Sequence, residues 1–491
     1  MADRKTSTTD SHSSPTIELM RLDDKHIHES KSPQNTHAKT QHELQTPINN
    51  DDLESTSTST TSTTSPPPSS DPTALQHWNK PRGNIARFAA SFYAMFVFGL
   101  SDAAYGALLP YLEQYYNLSY TVVSLIFLCP FAGYAIAAFT NSWFHHKFGQ
   151  RGIALVAPGC HVVAYIVLSL HLPWPVVVSF TCLAGFGNGL IDAAWSSWAG
   201  HMEAGNILEG SLHAFYALGC TFSPLIATSL VVRRGVPWYY FYYMLTGLSF
   251  VALITSTSTF WSKTGAVYVR EHPRVPGQSS TKLALKNRVT WLCCAFFLIY
   301  VGAEVALGGW IVSFMLHVRR ATPYASGIIG TGFWAGMTVG RSLLGVVTHS
   351  LITYTNQPHK SGLFHRLRLT ERSVVTVYIV CAIGLELLFW LVPSITASAV
   401  AVAFLGMFLG PIFPSGIIMA TKLLSNHLHI PSVGFSTALG GTGGAIFPFA
   451  VGAIAQEKGV QVLQPVVLSM LVVLLLVWLC FPRLKVHDRA E

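Results

Sequence analysis

Charge is scarce in this chain. Only 11% of its 491 residues are Asp, Glu, Lys or Arg, against about 25% in a soluble domain. So little charge cannot dress a water-facing surface, which excludes an ordinary soluble globular protein. Cysteine occurs eight times, always inside apolar runs and never in a Cys-x-x-Cys or Cys/His metal spacing. Disulfide frameworks and cysteine metal sites are therefore excluded as organising features, and these thiols are expected to pack as small apolar groups. The first 80 residues are polar, so no cleavable leader is visible and the first apolar span is expected to direct insertion. Phosphate-cradling GxxxxGK[ST], HExxH and nucleophile-elbow sequences are also missing. ATP-driven transport and membrane hydrolysis lack support, and neither enzymatic activity nor a cofactor is expected.

Apolar residues make up 50% of the chain, aromatics 12%, and the mean hydropathy is +0.41. Those values describe a polytopic membrane protein with the lipid bilayer as its solvent. The net charge of +8 does not indicate nucleic acid, because the basic residues lie in short loops between apolar spans. Residues 1–84 form a low-complexity segment, extreme in ESTSTSTTSTTSPPPSSDP at 54–72. It is read as a disordered tail, whose Ser-Pro and Thr-Pro pairs at Ser32, Thr46 and Ser65 are candidate phosphorylation sites.

Twelve apolar spans follow, at 88–110, 121–144, 152–171, 176–199, 211–232, 238–260, 288–316, 324–348, 373–392, 395–420, 432–455 and 461–481. Each approximates the ~20 residues that a helix needs to cross the hydrocarbon. From Lys80 onward, the Lys and Arg residues in the segments flanking the spans, Arg288 included, divide nineteen to five between the two sides, which puts both termini in the cytoplasm. A basic middle loop, 261–287, separates a six-helix unit at 85–260 from another at 288–481, and 482–491 form a short cytoplasmic tail. The halves resemble each other. Asp102-Ala-Ala-Tyr-Gly106 in span 1 matches Glu304-Val-Ala-Leu-Gly308 in span 7. Phe131-Ala-Gly133 in span 2 matches Trp334-Ala-Gly336 in span 8, and Pro224 in span 5 matches Pro448 in span 11. Three matches in one order favour a duplicated unit. Asn117-Leu118-Ser119 is a glycosylation sequon on the outer side, close enough to the membrane to be expected unmodified.

Several spans carry polar groups that lipid would penalise. Asp102 and Tyr105 share a face of span 1, and Asn188, Asp192 and Trp195 are spaced i, i+4, i+7 on span 4. Ionisable groups inside a membrane usually line cavities, and an amide, a carboxylate and an indole on one stripe suit a polar ligand with an apolar face. The competing reading makes Asn188 and Asp192 glue between helices. Glu304, with Trp310 six residues on, holds the equivalent place in span 7. His213 opens span 5, within reach of Glu209 or Asp192. Glu386 in span 9 is expected to be structural. Asp102, Tyr105, Asn188, Asp192, Trp195, His213, Glu304 and Trp310 are thus the candidate substrate and proton site.

Twelve spans in two sixes resemble the major facilitator superfamily over 88–481. The stretch Ser142-Trp-Phe-His-His146-Lys-Phe-Gly149-Gln-Arg151-Gly152 is similar to half of that family's signature after span 2. Gly336-Met-Thr-Val-Gly340-Arg341-Ser-Leu-Leu-Gly345 looks like its second-half counterpart. The resemblance implies an all-α fold of two pseudo-symmetric six-helix bundles that rock around a midplane site. It implies gating roles for Gly149, Arg151, Gly336, Gly340 and Arg341, the last as a gate cap. Gly219-Cys-Thr-Phe-Ser-Pro224 keeps the Pro of the drug-antiporter signature without its glycines. The span 1 text, Glu209-Gly-Ser-Leu-His213-Ala-Phe-Tyr in span 5 and the span 8 text look like a fungal branch similar to the fucose–proton symporter group. In that group acids in helices 1 and 4 bind substrate and couple protons, places held here by Asp102 and Asp192. The expected function is proton-coupled alternating-access transport of a small, sugar-like solute by a plasma-membrane monomer. Export of a fungal secondary metabolite or toxin is the alternative, and a non-transporting nutrient receptor is the alternative of another class.

Overall fold

The structure, a computed structural model, describes residues 77–200, 202, 203, 205–271, 280–355 and 370–482. The 1–76 part of the tail, with Ser32, Thr46 and Ser65, lies outside the described residues, as do the centre of the middle loop and 483–491. The described residues are helical throughout, with no strand among them.

Ten helices are long and apolar enough to cross a bilayer. One of them, the run Tyr120–Ser169, has 50 residues. At 1.5 Å per residue it would be about 75 Å long, more than twice the hydrocarbon thickness of about 30 Å. It is two spans joined at Gly149, whose backbone leaves the helical region (φ 68°, ψ −168°). The remaining span, the eighth, is Pro323–Val339 continued through a π turn at Gly340–Leu344 into Gly345–Thr355. Twelve spans result. Spans 8 and 10 are irregular along their length. Span 8 carries the π turn, and span 10 breaks between Ile395–Leu409 and Ile412–Leu423, at Gly410 and Pro411. A proline removes the backbone donor that would continue the ladder.

Local chemistry sets the helix ends. Thr322 caps span 8 by accepting from Ala325 N–H, with Pro323 at the first helical position. Thr370 and Ser373 form a reciprocal capping pair at the start of span 9. Around the outside of the bundle, large apolar side chains such as Phe139, Leu391 and Val346 are more than three-fifths exposed. Lipid, not water, is their solvent.

Small residues set the helix spacing, and they do so symmetrically. A Cβ on Gly133 of span 2 would lie 1.8 Å from the Cys182 carbonyl oxygen of span 4. One on its repeat partner Gly336 of span 8 would lie 1.9 Å from the Ala403 carbonyl oxygen of span 10. Neither position tolerates a side chain, so spans 2 and 4 and spans 8 and 10 approach to backbone contact. The repeat visible in the sequence is thus a repeat of packing.

The two halves meet most tightly at one end, where Asn117, His171 and Arg320 turn the chain with positive φ. There Gly106 faces its own repeat partner, and a Cβ on it would lie 2.3 Å from the Gly308 carbonyl oxygen. Tyr120 N–H donates to Gln456 Oε1 (2.8 Å), and Gly327 of span 8 fits against Thr228 of span 5. Deeper in, the Thr221 and Thr338 hydroxyls are 3.0 Å apart. Toward the opposite end, which holds Gly149, the joins between halves thin out to a ring contact between His213 and Phe413.

Candidate functional site

A cavity of about 230 Å³ lies between the halves, just below the Gly106–Gly308 contact. Spans 1, 2, 4 and 5 line it from the first half, and spans 7, 8, 10 and 11 from the second. Three carboxylates face it, Asp102, Asp192 and Glu304, with Arg341 as the one guanidinium among the described lining residues.

Each acid has its own partner. Asp102 Oδ2 accepts from the Tyr216 hydroxyl (2.9 Å). The Asp192 carboxylate accepts a short hydrogen bond from the Tyr134 hydroxyl. Glu304 Oε1 accepts from Arg341 Nη2 at 2.7 Å, and both side chains are close to nine-tenths buried or more. A buried charge needs such a partner, since desolvating it alone costs several kcal/mol. Two acids of the first half are therefore held by neutral tyrosines, while the acid of the second half is held by a cation. Among the described residues, the buried Asn188 Oδ1 and the Tyr105 hydroxyl make no hydrogen bond within bonding geometry. Phe127, Phe131, Trp334 and Phe413 supply apolar walls. An arrangement of carboxylates, an amide and aromatic faces suits a ligand bearing hydroxyl groups around an apolar ring.

The structure brings together Asp102, Tyr105, Asn188, Asp192, His213 and Glu304 on the cavity wall. It does not bring Trp195 or Trp310 there. Trp195 is fully buried and stacked on Phe260, ring centroids 4.3 Å apart. It shares a face with Asn188 but lies about 10 Å further along the axis, where the first half has closed into its own core. Trp310 is six residues past Glu304, a rotation of about 240°. It turns to span 11, where Nε1 donates to the Pro448 carbonyl oxygen (2.9 Å). His213 makes no hydrogen bond to Glu209 or Asp192 among the described residues.

The residues expected at gates also fall differently. Arg341 lies in the π turn that begins at Gly340 and projects into the cavity onto Glu304. Gly340, like Gly336, packs span 8 on span 10, with a Cβ position 2.0 Å from the Met407 carbonyl oxygen. Gly149 and Arg151 tie the turn between spans 2 and 3 to the segment after span 6. Arg151 N–H donates to Lys263 O (2.9 Å), and its guanidinium covers the Trp261 ring at 3.6 Å. Both contacts are to the start of the middle loop. Glu386 is fully buried in span 9, with neither oxygen hydrogen-bonded. Asn117 is the left-handed residue that ends span 1.

Tyr134 and Tyr216 were not legible as site residues. A tyrosine in an apolar span has many uses, and only partner geometry distinguishes this one. The spacing of Tyr216, three residues after His213, was the available signal.

An acid-lined cavity between two pseudo-symmetric helical halves is the arrangement of a membrane carrier. The chain belongs to the major facilitator superfamily, whose sequence profile matches residues 91–355. It is 30% identical over 415 residues to "Bypass of stop codon protein 6" of Saccharomyces cerevisiae, covering 80% of this chain and 82% of that protein. It is 21% identical over 409 residues to the "Glucose/mannose transporter GlcP" of Bacillus subtilis, covering 82% of this chain and 95% of the relative. Among solved structures it resembles FucP, an MFS transporter described in the outward conformation. That match has a TM-score of 0.53 at 14% identity, and covers 81% of this chain and 98% of FucP. It shows the shared fold.

Proposed function

We propose that this transporter carries a small, hydroxyl-rich solute of the sugar class together with a proton, by alternating access. The observation that supports this most is the asymmetry of the acids. Asp102 and Asp192 face the cavity on tyrosine hydroxyls, whereas Glu304 is neutralised by Arg341. A proton arriving at Asp102 turns its Oδ from acceptor to donor, and the Tyr216 hydroxyl is then free to turn toward solute. Asn188 and Asp192 accept from solute hydroxyls, and Trp334 and the phenylalanines cover its apolar face. The bacterial relative named for glucose and mannose supports the same solute class.

In this reading the structure is the inward-facing state. The Gly106–Gly308 and Tyr120–Gln456 joins form the closed outer gate, and the Gly149 end faces the cytoplasm with both termini. We infer the plasma membrane and a monomer, each six-helix unit moving as one body about the cavity. The test is reconstitution into vesicles with an imposed pH gradient and labelled hexoses. Uptake above equilibrium supports the reading. Gradient-driven expulsion of an apolar metabolite, with no hexose flux, supports the export alternative. No flux of either, with signalling lost on deleting residues 1–80, supports a receptor.

A further inference from the structure

Span 5 ends in an unusual way that solute transport does not explain. Its last turn, Ser229–Arg233, is a π helix, with Arg234 N–H bonded to Ser229 O (3.2 Å) and Val236 N–H to Leu230 O (3.3 Å). Such turns cost regularity and tend to mark functional positions. Here the widened turn borders a groove of about 420 Å³, lined by Leu225, Ile226, Ser229, Leu230, Arg233 and Arg234. The four residues nearer the membrane centre are half-buried, and both arginines are exposed. No carboxylate pairs with either arginine among the described residues.

Two arginines in sequence are out of place at this end, which holds only five of the basic residues outside the spans. The depth of the groove is marked independently. Tyr239, Tyr240 and Tyr243 pack on one another directly after it, with ring centroids 5.4 to 6.2 Å apart. Tyr240 and Tyr243 are nearly half exposed. An aromatic cluster of that kind sits at the headgroup level of a bilayer. The groove therefore runs from hydrocarbon depth, where it is leucine and isoleucine, to headgroup depth, where it is arginine. Its chemistry is that of a single amphipathic molecule with an acyl chain and an anionic head.

We propose that this groove binds an anionic glycerophospholipid, its acyl chain along Leu225, Ile226 and Leu230 and its phosphate between Arg233 and Arg234. The groove is formed by span 5 alone, and its rim reaches the other half. The Arg233 guanidinium lies 4.0 Å over the ring of Tyr324, the second residue of span 8, and Thr228, one turn inward, packs on Gly327 of the same span. A phosphate on Arg233 fixes the partner of that ring contact, so the lipid stabilises the state closed at this end.

The test is native mass spectrometry of the purified full chain, delipidated and re-exposed to phosphatidylserine or phosphatidylcholine. Retention of phosphatidylserine by wild type is expected to exceed that of phosphatidylcholine. It should fall at least about fivefold in Arg233→Gln/Arg234→Gln and stay unchanged in Arg320→Gln, at the same end but outside the groove. Should the double variant fail to fold, Arg234→Gln alone carries the comparison, since among the described residues the Arg234 side chain makes no ion pair or ring contact with another span. Equal retention of the two lipids, or retention unaffected by the arginine variants, overturns the proposal. Competition by inorganic phosphate at equal potency also overturns it, because the site would then take a free anion.

Discussion

Gly106→Ala tests how the halves close. A methyl group there would sit 2.3 Å from the Gly308 carbonyl oxygen and 2.7 Å from Gly309 Cα. Ordinary carbon contacts begin near 3.5 Å, so the two halves must part by about 1 Å at this point. The obstacle is backbone, which cannot rotate aside as a side chain would. Overpacking of this kind costs about 1–3 kcal/mol, and the cost falls only on the state closed at this end. The conformational equilibrium should therefore shift about 5- to 150-fold toward the opposite state. Hydrogen–deuterium exchange reads this directly. Exchange should rise around 117–124 and 317–322 and fall around 205–210 at the other end. Gly247→Ala is the control, since a Cβ there meets nothing within 4 Å. An unchanged exchange pattern in Gly106→Ala, or the same change in Gly247→Ala, would refute the assignment of this contact as a gate.

Other perturbations separate site from scaffold. Arg341→Gln leaves Glu304 buried without its cation and should cost about 3–5 kcal/mol, while Glu304→Gln/Arg341→Gln should recover most of it; thermal unfolding in detergent checks both. Tyr216→Phe removes the donor to Asp102 and should shift the pH dependence of transport with little change in unfolding temperature, whereas a pH profile identical to wild type would remove Tyr216 from the coupling machinery. Trp195→Ala should destabilise by about 3–5 kcal/mol and leave the apparent affinity for solute unchanged, because its ring packs on Phe260 and not on the cavity.

Much of the fold was legible because the bilayer leaves few options. Backbone groups in hydrocarbon must be satisfied within a helix, so apolar runs of about 20 residues translate directly into spans. The repeat was legible for a similar reason. Glycines recur at 106, 133, 308 and 336 because nothing larger fits: a Cβ would meet backbone at Gly106, Gly133 and Gly336, and the Trp334 indole at Gly308. Interruptions were less legible. Span 10 breaks at Gly410 and Pro411, and the π turn at Gly340–Leu344 has no sequence signature.

The site was half legible. Intramembrane carboxylates carry their own signal, and Asp102, Asp192 and Glu304 all face the cavity. Face alone misled at Trp195, because a helical stripe continues past the level at which the cavity ends. Motif analogy gave Arg341 a gating role and no partner, and its buried pairing with Glu304 became visible only in the structure. Tyr134 and Tyr216 became visible only with their hydrogen bonds, since tyrosine is tolerated anywhere along a span.

The central claim is that solute and proton meet at Asp102. The most direct measurement compares wild type with Asp102→Asn in vesicles, using gradient-driven uptake and solute exchange on the same preparation. The amide can still accept from Tyr216 but cannot take up a proton. The account predicts that the variant exchanges solute across the membrane yet fails to accumulate it under a proton gradient. Accumulation by Asp102→Asn at the wild-type level would contradict it.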